Sequence, residues 1–324
     1  MDNVYRYGLN HRDRPNFPDD DGQGFKTNWD GTDTRKNWDT GKFLGERLGW
    51  TEDNVSYKLN KWGFRHNHAL SNGINPIGFV ENRNALVALG CSMTFGTGVN
   101  YEQTWPYYVS KELGLDCINL AQPGSGINAS YRVAKMWLPV IKPKVVMFYS
   151  PNPHRRELWP TDEMIRDDNH GRYPDLPFAD AVKSIGPWSQ DQEYGAEKYR
   201  GYFKMWTSKR ETDIWVAAYS DAMKHISRDS KLIQLPVTAS NSSYDKEKLT
   251  DKDMQLGRLI QNLHDPCGRM QPPDRTQPLG NLLNELELIK DPDQSRWARD
   301  MSHPGPYIYR EIVAPLFIRE YNES

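Results

Sequence analysis

The sequence has little cysteine, no excess of charge of either sign and no long apolar run. Its 324 residues include three cysteines, Cys91, Cys117 and Cys267, too few for a disulfide framework and without the C-x-x-C spacing of zinc or redox sites. Lysine and arginine total 41 against 43 aspartate and glutamate, so no dominant basic surface is present to neutralise nucleic-acid phosphates. We therefore expect a protein of a reducing compartment with no nucleic-acid partner.

The chain also lacks the sequence signals of membrane insertion and secretion. No stretch reaches the ~18 consecutive apolar residues that a membrane span needs. The N-terminal residues do not combine a basic start with an apolar stretch, as a signal peptide does. We expect a cytoplasmic or otherwise soluble intracellular protein without a membrane partner, either free or part of a larger particle.

Aromatic residues are plentiful, at 12% of the chain, and disordered chains are usually poor in them. The length allows one large domain or two ordinary ones. Residues 1–55 are polar and turn-rich, and we expect residues 1–59 to form an irregular N-terminal arm or cap. Residues 60–324 are expected to form the main domain, with a largely helical insertion at about 155–230. The run Asp19-Asp20-Asp21 lacks the alternating ligands of a calcium loop, so we expect no metal there.

A strand–turn–helix rhythm begins at Asn84. Short apolar runs at 84–90, 117–121 and 144–150 predict buried strands, and the stretches 103–113 and 127–138 predict helices between them. This alternation is typical of an α/β fold with a mainly parallel sheet covered by helices on both faces.

The rhythm resumes after a charged, proline-bearing region at 155–195. Apolar residues at helical spacing between Tyr199 and Ile226 predict one or two amphipathic helices. The run 231–237 predicts another strand, which Pro236 should end. Helical stretches are predicted around 256–263 and 279–289, and over the tail at 307–321, with a kink at Pro315.

Ser92 follows the first strand of this rhythm, in the turn Gly90-Cys-Ser-Met-Thr-Phe-Gly96-Thr-Gly98. Ligands of open α/β sheets bind at the carboxyl ends of strands, and glycines let the backbone approach them closely. Ser92 is therefore a candidate nucleophile, with its own N–H available to a developing negative charge. The alternative is a phosphate-binding turn, although the Gly-Lys-Ser/Thr ending of a P-loop is missing. Cys91 is a second, less favoured candidate nucleophile.

Near the other end of the chain, Asp300 stands three residues before His303 and just ahead of Pro304. In a turn, this spacing can bring the carboxylate back to Nδ1 of the imidazole and leave Nε2 free as a base. The alternative is an Asp that caps a helix, next to an incidental surface His.

Two further segments follow predicted strands and should reach the same edge of the sheet as Ser92. They are Asn119-Leu-Ala-Gln-Pro-Gly124 and Ser150-Pro-Asn152-Pro. A glycine N–H and an asparagine amide are donors of the kind that an oxyanion hole requires. Each segment, taken separately, is also compatible with an ordinary turn.

Taken in this order, the four segments resemble the SGNH (GDSL-type) hydrolase family. The family's first block, Gly-Asp-Ser with a following Thr and Gly, is matched by 90–96, except that Cys91 replaces Asp. The Gly five residues after an Asn is matched by Gly124, and the Asn after the third strand by Asn152, without the usual Gly-x-Asn-Asp form. The final Asp-x-x-His-Pro is matched by 300–304. The stretch Asn60-Lys-Trp-Gly-Phe-Arg65 loosely resembles a segment that precedes the first block in some members.

The resemblance implies a three-layer α/β/α, flavodoxin-like fold and serine-dependent ester hydrolysis without a metal or organic cofactor. It implies that Ser92 is the nucleophile, His303 the base and Asp300 the residue that orients the base. Ser92, Gly124 and Asn152 would then supply the oxyanion hole. Alternatives are an O-acyltransferase with the same residues and a non-catalytic structural or binding module that retains the fold.

The region after Asn152 indicates the substrate. Its aromatic residues, among charged and proline-rich turns, suit the C–H faces of sugar rings better than a long acyl chain. They are Trp159, Tyr173, Trp188, Tyr194 and Tyr199. We expect a short acyl ester, such as an acetyl ester, on a carbohydrate or related small molecule, with Arg155 and Trp159 in contact with it. The alternative is that these residues anchor a long loop. His66 and His68 are two residues apart without further ligands, and we interpret them as surface residues.

Overall fold

The computed structural model describes residues 25–31, 33–59, 64–65, 81–158, 183–185, 209–236, 291–295, 297–300 and 303–324. Several predictions lie outside these residues: those for Asp19-Asp20-Asp21, for His66 and His68, for the helical stretches at 256–263 and 279–289, and for the aromatic residues from Trp159 to Tyr199.

The described strands and helices are numbered here in chain order. They are β1 (Phe25–Thr27), α1 (Arg35–Arg47), β2 (Tyr57–Leu59), β3 (Ala85–Gly90), α2 (Ser92–Phe95), α3 (Trp105–Leu113), β4 (Asp116–Asn119), α4 (Ile127–Ile141), β5 (Val145–Ser150), β6 (Arg156–Leu158), β7 (Lys183–Ile185), α5 (Lys209–Ile226), β8 (Lys231–Pro236), α6 (Pro306–Ile308) and α7 (Ala314–Glu323). Short 3-10 turns occupy Tyr101–Gln103 and Pro292–Gln294, and a π-helical turn, Tyr309–Val313, joins α6 to α7.

Four of the strands form one parallel sheet in the order β4-β3-β5-β8. All six residues of β3 and the first five of β5 are buried, which explains their apolar sequences. The predicted α/β class with a mainly parallel sheet is confirmed. The strand predicted at 231–237 is described over Lys231–Pro236.

Helices flank this sheet on both faces. Alternate residues of β3 and β5 belong to two separate buried clusters, because successive side chains of a strand point to opposite faces. One cluster joins the sheet to α3 and α7, where the rings of Trp105 and Phe317 stack with centroids 4.1 Å apart. The other joins the sheet to α4 and α5 through Trp137, Leu138 and Met223.

The described part of the N-terminal segment shares the first of these clusters. β1 and β2 pair as an antiparallel ribbon, and α1 lies between them in the chain. Trp38, Trp50, Val55 and Tyr57 are almost fully buried in the same cluster as Leu86 of β3. This segment therefore contributes large side chains to the core that surrounds the end of β3.

Within residues 155–230, the structure describes three elements. β6 and β7 pair antiparallel, and α5 packs on α4. A buried ion pair holds β6 to α4, with Arg132 and Glu157 in contact at 2.5 Å. The predicted apolar stripe is found on α5, where Trp215 and Tyr219 pack against buried Met223 and its cluster. Residues 199–208, where the stripe was expected to begin, lie outside the described part of the chain.

The tail is helical from Pro306, as predicted, but its irregularity is a π-helical turn rather than a kink at one residue. This turn, Tyr309–Val313, ends just before Pro315. Proline has no N–H to donate and its ring crowds the preceding turn, so a wider hydrogen-bond spacing beside it relieves both problems. None of the helices that the structure describes is both long and apolar enough to cross a bilayer.

Candidate active site

The sheet itself fixes where a site can form. The connection that leaves β3 leads to β4 on one side of it, whereas the connection that leaves the neighbouring β5 leads to β8 on the other side. In open parallel sheets, such a change of direction leaves a crevice at the carboxyl ends of the strands. The Ser92 turn, defined here as residues 91–99, begins at this end of β3 and is buried throughout.

Gly90 is required where β3 turns into α2. Its φ is +151°, and a Cβ there would lie 2.2 Å from Oγ1 of Thr94 and 2.8 Å from the carbonyl oxygen of Tyr149. Any other residue would therefore collide with both the Ser92 turn and β5. This close approach places Ser92 directly at the strand end.

The structure brings Ser92, His303 and Asp300 together in one hydrogen-bonded chain. Nε2 of His303 lies 2.7 Å from Oγ of Ser92, and Nδ1 of His303 lies 2.6 Å from Oδ2 of Asp300. All three side chains are buried. The two distances are those of strong hydrogen bonds between polar groups that water hardly reaches.

The partners of His303 define its proton arrangement. An ionised Asp300 carboxylate only accepts hydrogen bonds, so Nδ1 of the neutral ring carries the proton and Nε2 accepts from the Ser92 hydroxyl. The second oxygen of Asp300 accepts the main-chain N–H of His303 at 3.1 Å. Ala298 closes this segment by donating its N–H to the carbonyl of His303 at 2.9 Å. The arrangement makes Nε2 a base for the serine proton.

Cys91 takes no part in this chain. It is 1% exposed and belongs to the buried cluster between the sheet, α3 and α7. The hypothesis that Cys91 is the nucleophile therefore lacks support from its position.

Gly124 lies in a turn that is bound to the end of β3. The Gln122 N–H donates to the carbonyl of Gly90 at 3.2 Å, and the Ser125 hydroxyl donates to the same oxygen at 2.9 Å. Gly124 has a φ of +77°, which its lack of a Cβ permits. The turn is therefore fixed two residues from Ser92.

Asn152 lies in the turn after β5, defined here as the Asn152 turn (residues 152–155). Its Oδ1 accepts the N–H of His154 at 2.9 Å, which fixes the amide plane and leaves Nδ2 as the group that can donate elsewhere. The carbonyl oxygen of Arg155 would lie 2.5 Å from a Cβ on Gly126, so this turn contacts the one that carries Gly124. The sheet edge thus holds all three segments predicted to supply donors.

The predicted substrate residues are only partly described. Arg155 is half-buried in the Asn152 turn, and Trp159 lies outside the described residues. The next residue, Arg156, is turned inward, with its guanidinium 4.7 Å from the Trp215 ring centroid and bonded to the carbonyls of Pro153 and Arg155. Burial lowers its pKa to about 10, so it remains charged at neutral pH and supports the turn from within.

Sequence reasoning missed the role of Arg65, which lies beneath the Ser92 turn. Its buried guanidinium donates to the carbonyls of Phe95, Gly96 and Val99 and lies 4.7 Å from the Tyr57 ring centroid. Burial lowers the pKa of this arginine. The resemblance of residues 60–65 to a family segment was a signal for this position, but it gave no function for the side chain.

A second buried arginine, Arg299, was also missed. It forms an ion pair with Asp33, and both side chains are fully buried. No local pattern marks either residue, because their contact joins opposite ends of the chain. Among the residues that the structure describes, no group of three or more His, Cys, Asp or Glu side chains is arranged to hold a metal ion.

Comparisons with known proteins add no family to this geometry. No family model matches the chain, and no curated protein matches it in sequence.

Proposed function

We propose that this chain is a serine hydrolase of the SGNH type, with a three-layer α/β/α fold, that cleaves esters through an acyl-enzyme. The observation that carries the proposal is the chain of two hydrogen bonds from Ser92 through His303 to Asp300, at 2.7 and 2.6 Å. The serine, base and orienting carboxylate of a hydrolytic triad need this connectivity.

The reaction follows from these contacts. Oγ of Ser92 attacks the ester carbonyl carbon while Nε2 of His303 takes the hydroxyl proton, and Asp300 stabilises the imidazolium. The tetrahedral intermediate expels the alcohol, which receives the proton from His303. Water, deprotonated by the same nitrogen, then attacks the acyl-enzyme, and the acid is released as Oγ of Ser92 takes the proton back from His303.

The negative oxygen of the tetrahedral intermediate needs hydrogen-bond donors. The candidates are the N–H groups of Ser92 and Gly124 and Nδ2 of Asn152, all of which belong to turns at the carboxyl edge of the sheet. Donors that are fixed before the reaction stabilise the oxyanion without reorganising. The hydrogen bonds of Gln122 and Ser125 to the Gly90 carbonyl, and of His154 to Asn152 within its own turn, supply such fixation.

The substrate that best suits the sequence is a short acyl ester of a carbohydrate or related small molecule. The charged and aromatic composition after Asn152 favours this class over long acyl chains. Initial rates with p-nitrophenyl acetate, p-nitrophenyl dodecanoate and acetylated glycans test the choice. A clear preference for dodecanoate would contradict it, and transfer of the acetyl group to a sugar instead of water would identify an acyltransferase.

The reaction class is tested by a fluorophosphonate probe, which reacts with activated serines. Intact mass should show one added group on the wild-type chain and none on Ser92→Ala. Cys91→Ala is the matched control, because it removes the neighbouring nucleophile, and it should label at the wild-type rate. No labelling of the wild-type chain, or labelling that persists in Ser92→Ala, would contradict the proposal.

A further inference from the structure

A closed ring of hydrogen bonds joins the N-terminal segment, the Ser92 turn and the segment that carries Asp300. The Gly98 N–H donates to the Tyr57 hydroxyl oxygen at 2.7 Å, and that hydroxyl donates to the Asp33 carboxylate at 2.5 Å. Arg299 donates to the same carboxylate at 2.7 and 3.1 Å. The ring closes through the Arg299 N–H, which donates to the Gly98 carbonyl at 2.8 Å.

Arg299 makes further contacts outside this ring. Its guanidinium also donates to the carbonyls of Asn28 and Glu52, and it lies 4.2 Å from the Trp29 ring centroid. Arg299 and Asp33 are both 0% exposed. A planar fork with five donors can satisfy a carboxylate and several carbonyls at once, whereas a lysine cannot.

The ring acts on two positions that flank the proposed triad. Arg299 immediately precedes Asp300 in the chain, and Gly98 is the next-to-last residue of the Ser92 turn. The contact between them is tight, since a Cβ on Gly98 would lie 2.7 Å from Cβ of Ala298 and 3.1 Å from Oδ1 of Asp300. A shift of either segment would therefore move Asp300 relative to the serine.

The desolvation of its buried charged and polar groups limits how much this ring can stabilise the fold. Burial raises the pKa of Asp33, against the opposing effect of Arg299, and it also raises the pKa of Tyr57. Buried ion pairs often contribute little net stability, because desolvation offsets their attraction. What such a network does supply is a single arrangement of the groups that it joins.

We propose that Asp33, Tyr57 and Arg299 are positioning residues that hold Asp300, and through it His303, in line with Ser92. This inference rests on the proposed hydrolase function, which it deepens. A catalytic geometry that is displaced by about 1 Å can lose on the order of 100-fold in rate. The ring holds the carboxylate end of the triad against such displacement.

The first test removes one hydroxyl group from the ring. Tyr57→Phe should lower kcat for p-nitrophenyl acetate about tenfold and leave KM within about twofold, because the ring touches no substrate. Tyr101→Phe is the matched control: it removes another buried tyrosine hydroxyl, which donates to the Cys117 carbonyl at 3.2 Å and lies outside the ring. Its kcat should stay within about twofold of the wild-type value.

A second readout does not depend on activity. The proton between Nδ1 of His303 and Oδ2 of Asp300 should give a low-field NMR resonance, identified by its loss in Asp300→Asn. This resonance should shift or broaden in Tyr57→Phe and stay unchanged in Tyr101→Phe. Unchanged kcat and an unchanged resonance in Tyr57→Phe would overturn the positioning role.

A second pair of variants tests the charged part of the ring. Asp33→Asn and Glu157→Gln each leave a buried arginine without its carboxylate partner, Arg299 and Arg132 respectively. Both should lower Tm, but only Asp33→Asn should lower kcat per folded molecule and alter the low-field resonance. Equal changes in kcat and in the resonance in both variants would show that the ring only stabilises the fold and does not position Asp300. If the wild-type chain hydrolyses no ester and takes up no fluorophosphonate, the hydrolase proposal fails, and the resonance alone decides whether the ring positions Asp300.

Discussion

The Ser92 turn and the Asn152 turn lie at the same edge of the sheet but differ in their exposure. Residues 91–99 are all buried, whereas residues 152–155 are all half-buried. An arginine supports each turn by donating to its carbonyls, Arg65 in the first and Arg156 in the second. The proposed nucleophile, Ser92, is therefore held by surroundings that exclude water, while the proposed donor, Asn152, belongs to a turn that water can reach.

The largest expected effect is a difference in kcat between a variant of the proposed triad and a variant of the Asn152 turn. Asp300→Asn preserves the shape of the side chain but favours the wrong tautomer of His303, and we expect kcat to fall on the order of 10⁴-fold. Asn152→Ala removes one of the proposed donors to the oxyanion, and we expect a loss in kcat on the order of 10²- to 10³-fold. Steady-state kinetics with p-nitrophenyl acetate measures both. A larger loss in Asn152→Ala than in Asp300→Asn would reverse this order.

The next largest effect concerns the base of the Ser92 turn. Gly90→Ala adds a Cβ that would lie 2.2 Å from Oγ1 of Thr94, in a backbone conformation that alanine rarely adopts. We expect a loss of about 3 kcal/mol or more in the free energy of unfolding, measured by urea denaturation. Gly114→Ala is the control, because its φ is +63° with no atom within 4 Å of the added Cβ, and it should cost about 1 kcal/mol. Similar losses in the free energy of unfolding at both positions would show that the Ser92 turn can shift to accommodate the added Cβ.

Replacing the two supporting arginines should also destabilise the Ser92 turn more than the Asn152 turn, but the loss in the free energy of unfolding should be smaller than for Gly90→Ala. Arg65→Lys cannot reproduce the fork that reaches Phe95, Gly96 and Val99, so buried carbonyls lose partners at a cost of about 2–3 kcal/mol. Arg156→Lys leaves the carbonyls of Pro153 and Arg155 in a half-buried turn, where water replaces the lost donors, and should cost about 1 kcal/mol. Urea denaturation of both variants provides the measurement. Equal losses would mean that the two turns are equally closed to water.

The smallest effect is a pH dependence in the Asn152 turn. Burial, and after it the charge of Arg156, lowers the pKa of His154 in the folded protein. As pH falls below about 6.5, the unfolded chain takes up this proton first, so the free energy of unfolding decreases. His154→Asn should therefore lose less stability than the wild-type chain between pH 7.5 and pH 5. If the variant lost more stability than the wild-type chain over this pH range, the pKa of His154 would be raised by folding rather than lowered.

The sequence predicted what depends on short-range pattern. Apolar runs predicted β3, β5 and β8, and the three-residue spacing of Asp300 and His303 predicted their contact. The start of α3 was predicted two residues early, because Tyr101–Gln103 forms a separate turn that Asn100 and Gln103 cap.

Contacts between residues that are far apart in the sequence could not be predicted from it. The Asp33–Arg299 pair spans 266 residues, and nothing near either residue indicates a partner. Residues 33–59 also read as polar and turn-rich, since the few large side chains that enter the core, such as Trp38 and Trp50, lack a regular period. Their placement against β3 follows from packing that only the folded chain reveals.

The connection between the chain ends also determines when the site can exist. Ser92 and His303 are 211 residues apart, so their contact requires closure of most of the chain. Contacts of such large sequence separation form late in folding, because loop-closure entropy must be overcome first. During synthesis, β3 and Ser92 would leave the ribosome long before His303 is made. The proposed reactivity of Ser92 would then appear only after the segment that carries His303 has docked, and a growing chain without that segment would carry no activated serine.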